Sequence, residues 1–276
     1  FGIGFKKADK IAEKMGIAKD SEYRIQSGIK YALWLFVNEG HTYVPQKLFC
    51  ENAAELLEVG TEQVYETLIQ LAFEGELHIE NLEGRAVVFP MPYFMAEQNV
   101  CRCLINLNNA PLKPVSTNVD QLISATEQET GIQLSENQKF AVKASLQNGV
   151  TVITGGPGTG KTTIINTIMK IFEHSGFSTA IAAPTGRAAK RITETSGYDA
   201  STIHRLLEYY YSEGEDTMRF GKTSEDPLLY DAIIIDEASM IDILLMNGLL
   251  NAIRPGTRLV IVGDADQLPS VGAGNV

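Results

Sequence analysis

The sequence predicts an α/β protein, a parallel-sheet domain preceded by small, mostly helical modules. Beyond residue 133, apolar runs alternate with helix-patterned segments. The runs are near-continuously apolar, as strands are when helices cover both faces of a parallel sheet. The first 95 residues instead show helical spacing and then two short runs around Glu83-Gly84.

Elements follow in order. Ala8, Ile11, Ala12 and Met15 share one helical face and Ile25, Ile29, Leu33 and Phe36 another, so two short helices are expected to meet at Gly16. Helices are expected at 53–57 and, more strongly, 64–73, then a hairpin from 77–80 and 86–89, the pattern of a winged-helix-like module. A helix over about 95–108 leads to the polar stretch 110–118, where Pro111 and Pro114 interrupt it. Strands are then expected at 151–154, 179–183, 233–235 and 259–262, and helices at 162–172, 186–195 and 241–253. The polar segment 212–227 reads as an exposed insertion. This gives modules at 1–38 and 39–95, a helical linker at 96–132 and the sheet domain at 133–276.

The 276 residues allow two or more domains at roughly 100–200 residues each. At 44% hydrophobic and 21% charged, the composition is that of a soluble globular chain, with no apolar run near the roughly 18 residues of a membrane span. A cytoplasmic protein with no membrane association is expected. The net charge of −11 excludes a uniformly basic nucleic-acid binder but leaves room for a local track of cations. Cys50, Cys101 and Cys103 lack a second Cys/His pair at zinc spacing and read as reduced thiols. Phe1 follows no start Met or leader, and residues 272–276 read as a loop, so the sequence looks like part of a longer chain.

The segment Gly155-Gly156-Pro157-Gly158-Thr159-Gly160-Lys161-Thr162 matches G-x-x-x-x-G-K-T between an expected strand and an expected helix. Glycines let backbone N–H groups turn inward around phosphates while the positive end of the helix faces them. Lys161 would reach the β and γ phosphates, and Thr162, with Thr163 beside it, would lie at the nucleotide and its Mg²⁺. The strand 233–235 ends in Asp236 and Glu237, which suit Mg²⁺ binding and activation of the attacking water respectively. Gln267, after the strand at 259–262, could sense the γ phosphate. Gln138, after the helix cap Ser135, could read the adenine edge or simply lie solvated on the helix surface.

Taken together, residues 134–138, 155–162, 183–189, 201–207, 236–239 and 263–269 resemble, in wording and order, the motifs of superfamily 1 helicases. The wording is closest to RecD-like DNA helicases, the alpha subunit type of exodeoxyribonuclease V, in the stand-alone form with an extended N-terminal region. The resemblance implies a RecA-like ATPase domain at 133–276, ATP and Mg²⁺ as cofactors, and 5′ to 3′ movement on single-stranded DNA, with a place in DNA repair and recombination. Single-stranded DNA and duplex junctions are the implied partners; a monomer is expected, with protein partners unassigned. Pro184, Thr185 and Arg187 in one loop, and Thr202, His204 and Arg205 in another, would lie along the DNA path. His204 reads equally as a core histidine and Arg187 as a helix cap.

Residues 2–12 look like the second half of a helix-hairpin-helix, whose Gly-x-Gly turn offers amides to DNA phosphate. Without the resemblance they are a tight turn and a solvated lysine face. The motifs of a second RecA-like domain, with their arginine fingers, do not occur, so this polypeptide is expected to bind ATP but hydrolyse it poorly. Two other readings stand beside the motor. One is a relaxase-type conjugative helicase, and the other is a non-catalytic DNA- or protein-binding module that uses ATP as a conformational ligand.

Overall fold

The computed structural model describes residues 5–115, 118–212, 217–264, 266–267, 270 and 272–274. The chain forms two compact units, one within Phe1–Gln98 and one within Asn99–Ser270. The Gly2–Gly4 turn lies outside the described residues. No helix among the described residues is long and apolar enough to cross a membrane.

The first unit begins with α1 (Phe5–Lys14) and α2 (Glu22–Asn38), separated by Gly16 at φ 84°. Next come β1 (Val44–Pro45), α3 (Gln46–Leu57), α4 (Thr61–Phe73), β2 (Leu77–Leu82) and β3 (Arg85–Pro90), with the sheet ordered β1-β3-β2. Helix α3 starts well before the expected 53–57. Pro45 closes β1 and directly precedes the first turn of α3, and Phe49 and Cys50 join the core. Apolar stripes of the three helices meet there: Ile25, Ile29 and Leu33, then Phe49, Ala53 and Leu57, then Val64, Leu68 and Leu71. At Gly28 the helices come so close that an added Cβ would run into the Leu57 side chain. The hairpin turn uses Glu83 at φ 51° and Gly84 at φ 81°, the paired left-handed conformation of a two-residue connection. Arg24 ties α1 down, donating to both Asp9 carboxylate oxygens at 2.6 and 2.9 Å and to the Leu57 carbonyl at 3.0 Å. The unit is a helix-hairpin-helix-like element followed by a winged-helix-like module.

Helix α5 (Met91–Asn109) leads into the second unit through α6 (Val119–Thr130) and α7 (Glu136–Gln147). Five parallel strands follow: β4 (Val150–Thr154), β5 (Thr179–Ala183), β6 (Ala200–Thr202), β9 (Ala232–Ile235) and β10 (Arg258–Gly263), in the order β4-β10-β9-β5-β6. Helices α8 (Lys161–His174), α9 (Gly186–Ser196) and α11 (Ile243–Ala252) complete the α/β grammar, with a single-turn α10 (Ile203–Leu206). Ile153, Ile181, Ile234, Val260 and Val262 pack into a core with Ile165, Ile168 and Phe172 of α8. Ile233, Ile235, Leu259 and Ile261 alternate with them and are also buried, so both faces of the central strands β9 and β10 are covered. Where an insertion at 212–227 is expected, β7 (Tyr209–Ser212) and β8 (Thr217–Phe220) pair as antiparallel strands. Its three consecutive tyrosines hid the period-2 alternation, and Phe220 seats against Gly248 of α11.

The base of the sheet is pinned by Arg258. Its side chain, 2% exposed, donates to the carbonyls of Leu146 at 3.0 Å and Lys113 at 2.9 Å, beside the Phe177 ring. Lys113 in turn pairs with Asp231 at 2.9 Å, and the Ser178 amide donates to the same carboxylate oxygen. The Lys113 ammonium, joined by the Ser178 donors, holds the Asp231 carboxyl below its ordinary value. A depressed folded-state value means stability that is present above the unfolded value and lost as pH falls through the folded one. Asp231→Asn should therefore lower unfolding free energy by about 1–2 kcal/mol at neutral pH. In denaturant titrations the gap to the unmutated chain should narrow below about pH 4.

Candidate nucleotide-binding site

Parallel strands of an open sheet deliver their loops to one edge, at the carboxyl ends. Here β4 runs into 155–160, β5 into Pro184-Thr185, β6 ends at Thr202, β9 runs into Asp236-Glu237, and β10 runs into Asp264, with Asp266 and Gln267 beyond it. Every motif loop of the second unit thus opens on that edge.

The loop after β4 is built from backbone that only glycine takes easily. Gly158 sits at φ 77° and Gly160 at φ 85°, the latter capping α8. The Gly155 amide donates to the Gly263 carbonyl at 3.3 Å, prolonging the β4–β10 pairing, and the Thr159 hydroxyl donates across the loop to the Gly156 carbonyl at 2.9 Å. Among the described residues, and chain neighbours aside, no atom lies within 4 Å of where a Cβ would stand on Gly156 or Gly158. Lys161 donates to the Gly155 carbonyl and, at 3.1 Å, to that of Gly156. Its ammonium is also 3.9 Å from the carboxylate of Asp264, which is 2% exposed. Thr162 and Thr163 lie half-buried in the first turn of α8, and Pro157 lies between Gly156 and Gly158 at the loop's tip.

Gln138 is committed to structure. It completes a capping box with Ser135, its side-chain oxygen accepting from the Ser135 amide at 2.9 Å, while its Nε2 donates to the Thr159 carbonyl at 3.2 Å. The amide braces the glycine loop from α7. Gly160 owes its identity partly to this brace, since a Cβ there would collide with Nε2.

Asp236 continues β9, its amide donating to the Ala182 carbonyl at 3.0 Å. Burial pushes its carboxyl above the ordinary carboxylate range; the Glu237 amide, donating to Oδ1 at 2.9 Å, opposes that, as do Arg191 and Lys161. Glu237 stands in left-handed backbone at φ 55°, before a 3₁₀ turn at Ala238–Met240. Gln267 donates through Nε2 to Asp264 at 3.4 Å, and Asp264 also accepts from the Asp266 amide at 3.1 Å. A cleft of about 340 Å³ gathers Glu237, Gln267, Thr185, Arg187, Arg191 and Met240.

Of the residues expected on a DNA path, the two threonines act first as caps. Thr185 Oγ1 accepts from the Ala188 amide at 3.2 Å and Thr202 Oγ1 from the Arg205 amide at 3.1 Å. His204 is half-buried, its ring edge-on to Tyr209 at 5.0 Å. Arg187 and Arg205 are exposed and Pro184 is half-buried. Sequence reasoning missed Asp264 and Arg191. Asp264 carried the same signal as Asp236, an acid at the end of an apolar strand, whereas Arg191 looked like one more solvated helix cation.

A family model described as an AAA domain matches residues 138–273, and one described as the ATP-dependent RecD2 DNA helicase HHH domain matches residues 1–43. The ATP-dependent RecD2 DNA helicase of Deinococcus radiodurans is 33% identical over 287 residues, 99% of this chain and 38% of that protein. The RecBCD enzyme subunit RecD of Mycolicibacterium smegmatis is 36% identical over 207 residues, 67% of this chain and 35% of that protein. A crystal structure of Bacteroides Pif1 bound to ssDNA aligns at a TM-score of 0.38 and 27% identity, over 50% of this chain and 34% of that chain. The chain thus spans well under half the length of these curated relatives.

Gly160→Ala should combine left-handed strain with the Gln138 collision, costing about 1–3 kcal/mol. Thermal unfolding should show a lower Tm for Gly160→Ala, while Gly156→Ala, with open space at its Cβ, stays close to the unmutated chain.

Proposed function

The chain belongs to the RecD2-like superfamily 1 helicases, and from that premise we propose that it carries the first motor domain of an ATP-dependent DNA helicase, which moves 5′ to 3′ along single-stranded DNA and works at duplex junctions. The observation that carries the reading is the single edge of the five-stranded sheet where the ends of β4, β9 and β10 bring together the glycine loop, Lys161, Asp264, Asp236, Glu237 and Gln267. The direction of movement follows the motif resemblance.

The residues fit a magnesium nucleotide. A loop of glycine-only backbone, the positive end of α8 and the Lys161 ammonium converge on one mouth, as phosphate requires. The Thr162 hydroxyl and the Asp236 carboxylate are the hard oxygen donors that Mg²⁺ takes alongside water and phosphate. Magnesium, when bound, draws charge off the phosphate oxygens. Lys161 takes up negative charge on the terminal phosphates, exchanging its loop-carbonyl contacts for them. Glu237 orients the attacking water and accepts its proton. Gln267, tethered to Asp264, links the γ-phosphate position to the cleft. Thr185, Arg187, Thr202, His204 and Arg205, with Pro184, offer the sequence-tolerant polar grip that suits single-stranded backbone. A second motor domain's arginine contributes on the order of 10³ to 10⁵ in rate in related phosphoryl transfer, and these residues do not supply it. Slow turnover is therefore the expected behaviour of this polypeptide.

Titrated with a fluorescent ATP analogue and Mg²⁺, Lys161→Ala should bind at least about 100-fold more weakly than the unmutated chain, a loss matching one charge-assisted contact set. Equal affinity for the two proteins would overturn the nucleotide assignment. Fast DNA-stimulated turnover by the 276-residue polypeptide would overturn the expectation of slow hydrolysis.

A further inference from the structure

Helix α9 joins two sites that the motif reading treats separately. Its first turn carries Thr185 and Arg187, which belong to the proposed DNA path. One turn later Arg191 donates from NH1 to Glu237 Oε1 at 3.3 Å. Arg187 and Arg191 are four residues apart, so they stand on one helical face, and both line the cleft that holds Glu237. The pair is lopsided, for Arg191 is 69% exposed and Glu237 only 15%. A single long contact to so exposed an arginine is weak. The guanidinium fork matches a phosphate better, by two parallel hydrogen bonds, and the nearby N-terminal end of α9 favours an anion.

We propose that Arg191 is a positioning residue that clamps the Glu237 carboxylate when no DNA is bound and releases it when a DNA phosphate entering beside Arg187 takes over its guanidinium. The contact holds Oε1 of the Glu237 carboxylate turned toward Arg191, so the side chain is not free to turn to the attacking water. The clamp therefore restrains the base of the proposed reaction until the track is occupied, and it rests on the nucleotide and DNA reading above. Because Glu237 and phosphate compete for one guanidinium, the coupling is reciprocal: whatever frees Arg191 from Glu237 must also tighten DNA binding.

The test measures affinity for a fluorescein-labelled oligo(dT) by anisotropy, without nucleotide and at fixed low salt. Glu237→Gln should bind oligo(dT) about two- to fivefold more tightly than the unmutated chain, the range expected for release from an exposed ion pair. Arg191→Gln should bind it more weakly. In the Arg191→Gln background Glu237→Gln should add nothing, because the competition has been removed, whereas a through-space charge effect would persist there. Arg191→Lys, which keeps the charge but loses the fork, should retain part of the response. Equal oligo(dT) affinity of Glu237→Gln and the unmutated chain, or the same gain in both backgrounds, overturns the clamp while leaving the motor reading in place. No oligo(dT) binding by the unmutated chain overturns the DNA-path reading and the clamp with it, independently of the Lys161 nucleotide result.

Discussion

Much of this structure depends on the pairing of Lys161 with Asp264. A carboxylate that is 2% exposed is costly unless a cation or hydrogen-bond donors compensate it. Lys161 at 3.9 Å, the Asp266 amide and the Gln267 amide group supply that compensation. The arrangement couples the loop after β4 to the loop after β10, two strands already in register from Leu259 against Val150 to Gly263 against Thr154. The lysine proposed to face phosphate is thus held by the same group that tethers the proposed γ-phosphate sensor.

Around that pair, side chains do structural work that shapes the site. Gln138 and Thr159 stiffen the glycine loop from either side, and Thr185 and Thr202 cap the helices behind the two loops of the proposed DNA path. At the opposite end of the sheet, Arg258 and the Lys113–Asp231 pair anchor the segment leading into α6. Asn99 of α5 donates to both Asn247 and Asn251 of α11, at 2.6 and 2.7 Å, fixing a further helix against the domain. The edge that carries the motifs is exposed above a base that is tied down.

The sequence made the sheet domain plain because its signals are local. Apolar runs such as Ala232–Ile235, glycines at left-handed positions and acids at strand ends all lie within a few residues of what they specify. The second helix and the winged-helix-like element were also readable, through the spacing of Ile25, Ile29 and Leu33 and the Glu83-Gly84 turn, whereas the helix-hairpin-helix reading came from the resemblance over residues 2–12. Short strands escaped, since β1 has two residues and β6 three, too few to show a period. The tasks of Gln138 and Arg191 could not be read from spacing, because each depends on a partner brought close only by the fold: Thr159, 21 residues away, and Glu237, 46 residues away.

The left-handed turn at Glu237 has a consequence for how the acidic pair can vary. Successive side chains of a strand point to opposite faces, so two adjacent acids would point apart if the strand stayed regular. The φ of 55° breaks the alternation, and the Glu237 amide donation to Asp236 holds the break in place. Each acid therefore shapes the other's backbone or environment, and the two form one geometric unit: a change at Asp236 that removes its oxygen acceptor disturbs the geometry of its neighbour as well as the local charge.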